Sequence, residues 1–94
     1  MTEPIERAPD VRVQWLEAFL ATDKFGSMTD AAKALDVSQS TVSRDLGKLE
    51  DALGRLLTTR DVPFALTPEG LAFQPIAQKM IDELEAFKAT GFGF

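Results

Sequence analysis

Residues 38–44 read Ser-Gln-Ser-Thr-Val-Ser-Arg, and six of these seven side chains carry a hydrogen-bonding group. Hydroxyls at Ser38, Ser40, Thr41 and Ser43 can donate to phosphate oxygens. The Gln39 amide can donate to and accept from the edge of an adenine, and Arg44 can reach guanine or phosphate. This is chemistry for recognising a nucleic acid, not for breaking bonds. The chain contains no His, no Tyr and no Cys. It therefore lacks the commonest general base near neutral pH, the commonest metal ligand and any thiolate. Glu50 and Asp51 are a carboxylate pair in sequence, but adjacent residues on a helix do not face each other. No catalytic residue, cofactor or metal site is expected.

Presenting those groups together requires a helix that begins at Ser38, a strong N-cap. Val42, Leu46, Leu49 and Leu53 follow at spacings of four, three and four, the buried stripe of one helix face. Gln39, Ser40, Ser43, Arg44 and Gly47 then project largely away from that stripe. Gly47 inside a helix costs about 1 kcal/mol against Ala; it either permits close approach of another group or is a tolerated surface glycine. Gly54 suits the left-handed position after the helix. A tight Leu35-Asp36-Val37-Ser38 turn joins this helix to a shorter one from about Met28 to Leu35. Ser27-Met28-Thr29-Asp30 resembles a capping box with Asp in the last place, and Ala31, Ala32 and Leu35 share one face. The pair is a helix-turn-helix, with the second helix turned toward base edges.

The flanking segments complete a small domain. Residues 1–9 hold two prolines and mixed charge and predict a loose arm. Asp10 can cap a first helix from about Val11 to Thr22, with Val13, Leu16, Phe19 and Leu20 at helical spacing and Gly26 as the break. Trp15 reads as core or dimer packing. Leu56–Thr59 and Phe64–Leu66 predict two short strands, a wing around Arg60-Asp61-Val62-Pro63. Thr67 and Pro68 open a last helix, which Pro75 should kink. Phe73, Ala77, Met80, Leu84 and Phe87 step by four, three, four and three, a seam suited to an identical helix. Residues 90–94 should fray. The expected fold is mainly α: a winged helix-turn-helix with a two-stranded wing and a long C-terminal dimerisation helix. Residues 1–9 form the flexible arm, 10–67 the winged domain and 68–90 the dimerisation helix.

With 94 residues and 45% hydrophobic content, one small globular domain of modest stability is expected. The net charge of −5 argues mildly against a polyanionic partner, but its distribution softens the objection. Residues 24–60 carry six bases against five acids, and the excess acid lies on either side. Non-specific affinity for DNA should be low and salt-sensitive. No apolar run approaches a membrane span, and the N-terminus lacks the basic-then-apolar pattern of a signal peptide, so a cytoplasmic location with no membrane partner is expected.

Phe19, Gly26-Ser27, Ala31-Ala32, Leu35, Val37-Ser38-Gln39, Val42-Ser43-Arg44, Leu49-Glu50, Leu53-Gly54 and Leu56-Leu57 stand in a familiar order, continued by Arg60, Leu66-Thr67 and Gly70. Over about residues 13–88 the chain resembles the N-terminal winged helix-turn-helix of LysR-type transcriptional regulators. The resemblance implies that the second helix of the motif enters the major groove and that the long helix pairs two subunits. It implies that Gln39, Ser40, Thr41, Ser43 and Arg44 contact bases and phosphates, with Ser38 and Lys48 beside them. It further implies phosphate contacts from Ser27 and Thr29 and a wing contact from Arg60. The chain departs from the family pattern at Ser40, where proline is frequent, and at Asp45, where a neutral or basic residue is usual. Its wing lacks further basic residues after Arg60, and these 94 residues do not include the family's effector-binding domain, as expected either of a piece of a longer regulator or of a small protein with no co-inducer site.

The reading is a homodimeric, sequence-specific regulator that binds double-stranded DNA. The alternative is a winged-helix interaction module that binds another regulatory protein. Arg44 has Ser40, Thr41, Gly47 and Lys48 as its helical neighbours, so no acid is placed to pair with it along the helix. Asp45 is expected beside the reading surface, where its charge would oppose phosphate.

Overall fold

The computed structural model describes residues 8–60 and 64–90. Among them are four helices: α1 (Val13–Phe25), α2 (Met28–Leu35), α3 (Gln39–Leu53) and α4 (Pro68–Ala89). The centre of the fold is α1, which packs against each of the other three, while α2 also packs against α3. Leu16 and Phe19 of α1 join Leu46 and Leu49 of α3, Leu57 beyond it and Ala77 of α4 in one buried cluster. Trp15, Phe73 and Ile81 close its edges. The rings of Phe19 and Phe73 sit 5.7 Å apart at 49°, a tilted arrangement favourable for aromatic quadrupoles. A smaller cluster of Ala18, Ala31, Ala32 and Val42 holds α1, α2 and α3 together, and its small side chains allow the helices to approach closely. Thr22 is buried in α1 and stays satisfied because its hydroxyl donates to the Ala18 carbonyl at 2.7 Å.

Local chemistry sets the boundaries of the reading motif. The Ser27 hydroxyl accepts from the Asp30 N–H at 3.0 Å and opens α2. Asp36, at φ 58°, closes α2 in the left-handed region, with its N–H on Lys33 O and the Val37 N–H on Ala32 O. The Ser38 hydroxyl accepts from the Thr41 N–H at 3.1 Å and opens α3, which ends at left-handed Gly54. Ser27→Ala and Ser38→Ala should each cost about 1 kcal/mol. Urea melts that shift in midpoint at unchanged slope would register this; midpoints equal to wild type would mean the caps are dispensable.

The last helix is seated by backbone contact. The Thr67 hydroxyl accepts from the Gly70 N–H at 3.0 Å and donates to Leu56 O at 2.6 Å. The Thr67 N–H donates to Leu57 O at 3.0 Å. These bonds draw the first turn of α4 onto the 56–58 segment. Helix α4 then runs through Pro75.

Three expectations are corrected. The first helix begins at Val13 rather than Val11 and continues to Phe25; its N-cap is Arg12 without a side-chain bond, so Asp10 does not cap it. The two-stranded wing reduces, among the described residues, to a single antiparallel bridge between Thr58 and Leu66. Two cross-strand bonds flank it, from the Thr59 N–H to Ala65 O at 2.9 Å and from the Thr67 N–H to Leu57 O at 3.0 Å; the Leu57 N–H, which would extend the ladder, donates to the Glu50 carboxylate, and Arg60 at φ 57° leaves the extended backbone. Third, the apolar seam of α4 is divided. Phe73 and Ala77 belong to the chain's own core, whereas Ile76, Met80, Leu84 and Phe87 are exposed. The loose arm (except residues 8 and 9), the wing tip at 61–63 and the end at 91–94 lie outside the described residues.

Candidate nucleic-acid interface

The two helices of the motif meet at their N-terminal ends. The Thr29 hydroxyl, in the first turn of α2, donates to Gln39 Oε1 at 3.0 Å, in the first turn of α3. Both residues are exposed. The Ser38 hydroxyl lies 3.0 Å from that of Ser40 and 2.9 Å from that of Thr41. Capping and mutual hydrogen bonding thus already occupy part of the hydroxyl cluster, and Ser43 is half-buried. No acid stands in the first turn of α3, so the partial positive charge of its N-terminus is not offset there.

Ser40, Arg44 and Lys48 follow one another every four residues and form one exposed strip of α3. The Arg44 side chain is 61% exposed, and its Nε lies 3.9 Å from Asp45 Oδ1. The acid missing from the helical neighbours of Arg44 is therefore supplied loosely by the next residue. Asp45 itself is a correction: its side chain is only 8% exposed and lies in a hollow with Gln14, Glu17, Val37 and Thr41. It sits three residues after Val42 and four before Leu49, at the edge of the buried stripe, and is not a surface acid opposing phosphate.

Arg60 differs most from its expected role. Its Nη2 donates to Glu50 Oε1 at 2.8 Å. Glu50 Oε2 accepts from the N–H groups of Leu57 at 2.8 Å and Thr58 at 3.3 Å. The Glu50 side chain is 5% exposed and that of Arg60 36%. The guanidinium passes over Gly47, 3.5 Å from where a Cβ would stand, an ordinary contact that an alanine would also allow. Ser27, Thr29, Ser38, Gln39, Ser40, Thr41, Arg44 and Lys48 are thereby gathered at the ends and along one strip of the motif, while Arg60 is turned onto α3.

Residues 13–71 match the family of bacterial regulatory helix-turn-helix proteins designated lysR. The chain belongs to the LysR family. It is 40% identical over 79 residues to a probable hydrogen peroxide-inducible genes activator of Mycobacterium avium, a match covering 83% of this chain and 25% of that protein. It superposes on the BenM DNA-binding domain, crystallised with catB site 1 DNA, with a TM-score of 0.82 and 30% identity, covering 86% of this chain and 92% of that one. The CbnR DNA-binding domain, crystallised with DNA, gives a TM-score of 0.82 at 30% identity and covers 88% and 97%. The chain spans 25–42% of the length of the first curated relatives it matches.

Within this LysR-family chain, sequence reasoning missed Glu50. A helical-wheel signal was present: Glu50 stands four residues after Leu46 and three before Leu53, on the opposite edge of the stripe from Asp45. An acid at such a position is half inside the core and needs a partner. The only nearby clue to that partner was Arg60, ten residues on, which reads more readily as a wing cation.

Proposed function

We propose that this LysR-family chain is a sequence-specific transcriptional regulator of double-stranded DNA, working in the cytoplasm as a homodimer, with α3 in the major groove and α4 pairing two copies. The observation that carries this reading is the Thr29–Gln39 hydrogen bond across the turn. It brings the N-termini of α2 and α3 to one surface beside Arg44 and Lys48, a combination suited to phosphates at the helix ends and base edges between them. The complexes of the BenM and CbnR DNA-binding domains with DNA support it. Ser27, Thr29, Ser38, Ser40, Thr41, Ser43 and Lys48 are assigned to phosphates and positioning, and Gln39 and Arg44 to bases. No described helix is long and apolar enough to cross a membrane.

The test is selection of bound sites from random duplex DNA, repeated across a salt series. Gln39→Ala should relax preference at one position of each half-site, at a cost of about 1–3 kcal/mol. An unchanged motif would remove Gln39 from the base readers. A second reading, a module that binds another regulatory protein, is favoured by the net charge of −5. Its signature would be no enriched motif and no salt-dependent DNA affinity, with a protein partner retained.

A further inference from the structure

We infer that Glu50 and Arg60 form a charge-neutral latch, in which Glu50 is a positioning residue that fixes the root of the wing on the recognition helix and withholds Arg60 from phosphate. The inference rests on the DNA-binding reading and goes beyond it by removing one expected contact and assigning a new role. Several independent features converge on it. The Glu50 carboxylate is buried, and both of its oxygens are occupied, one by two successive backbone N–H groups and one by the guanidinium. Arg60 adopts φ 57°, a left-handed conformation that a non-glycine residue holds only when its surroundings impose it. The guanidinium reaches back over α3 at Gly47, 3.5 Å from where a Cβ would stand, an ordinary packing contact.

The consequence is electrostatic. A cation in hydrogen-bonded contact with a buried carboxylate adds no net charge to the surface, so it releases no counterion when DNA binds. The same carboxylate ties Leu57 and Thr58 to α3, so the bridge at Thr58–Leu66 is oriented by the helix that reads DNA.

The test uses the full chain and random-sequence duplex DNA as probe. The slope of log affinity against log salt and the melting temperature are measured for wild type, Arg60→Met, Glu50→Gln and the double variant. Arg60→Met should leave the salt slope unchanged and lower the melting temperature. Glu50→Gln frees the guanidinium, and the slope should steepen by about 0.9 per subunit. In the Glu50→Gln background, Arg60→Met should reverse that steepening and cause little further loss of melting temperature. A slope that flattens by about 0.9 per subunit in Arg60→Met alone would put Arg60 on a phosphate and overturn the latch. So would melting-temperature losses that simply add. Should either single variant fail to fold, the double variant, with both charges removed, supplies the slope comparison. If wild type shows no DNA affinity, the DNA-binding reading fails, while the melting-temperature cycle still decides whether the latch exists.

Discussion

Gly70→Ala should destabilise the fold by about 3 kcal/mol or more, a fall of roughly 10–25 °C in melting temperature for a domain of this size. Helix propensity alone gives the opposite sign, because alanine is favoured over glycine by about 1 kcal/mol in a helix interior. Packing decides the matter. A Cβ at Gly70 would collide with the carbonyl oxygen of Leu57 and lie 2.9 Å from its carbon. That carbonyl cannot swing aside cheaply, since it accepts from the Thr67 N–H, and Leu57 is itself in the core. Either α4 lifts away from the 56–58 segment or the core opens at Leu57. Gly47→Ala provides the contrast in the same chain. Its nearest neighbour would be the flexible end of Arg60 at 3.5 Å, an ordinary contact, so the propensity gain should survive. Urea melts of the two variants should move in opposite directions. A Gly70→Ala variant as stable as wild type would mean that the close approach of α4 to Leu57 is not a feature of the folded protein.

The reading motif was legible because its signals are local. Ser27 and Ser38 cap because their hydroxyls meet N–H groups three residues on, and Asp36 and Gly54 end helices through their own backbone conformation. The spacing of Val42, Leu46 and Leu49 on one face required no knowledge of a partner, and all three are buried. The first helix was placed less well. Asp10 has the chemistry of a cap, but Arg12 takes the position in extended backbone, without a side-chain bond.

What was not legible depends on contacts between segments distant in sequence. The carboxylates of Asp45 and Glu50 look like surface charge, yet each lies at a margin of the buried stripe, where the neighbouring element decides exposure. Nothing in the 24–60 segment alone says that the N–H groups of Leu57 and Thr58 will meet the Glu50 carboxylate. The exposure of Gln39, Arg44 and Lys48 was therefore readable, since they face solvent from a single helix. The pairing of Arg60 and the burial of Asp45 were not, because their surroundings are assembled by the fold. The division of the α4 seam was hidden for a related reason. Periodicity marks an apolar seam but does not say whether the chain itself or another copy covers it.

That division of α4 makes Leu84→Asp the sharpest test of the homodimer. Phe73, Ala77 and Ile81 hold α4 to the core, and Ile81 is the last α4 residue in that cluster. Leu84 lies almost one turn beyond it, four residues after exposed Met80 and past the end of the core, and is 54% exposed. Large apolar groups repeated at helical spacing on an open face are what an isologous helix pair would bury. Leu84→Asp on both copies removes about 3 kcal/mol of apolar burial and sets two like charges near the two-fold axis. The dimer dissociation constant should rise about a hundredfold or more. Sedimentation at micromolar concentration should show twice the chain mass for wild type and the single-chain mass for the variant. The helical circular dichroism should be retained, because Leu84 contributes nothing to the core. DNA affinity should fall together with the dimer, since two linked reading heads are replaced by one. A wild-type protein that stays monomeric at every accessible concentration would remove the homodimer, and the exposed strip of α4 would then belong to a different partner.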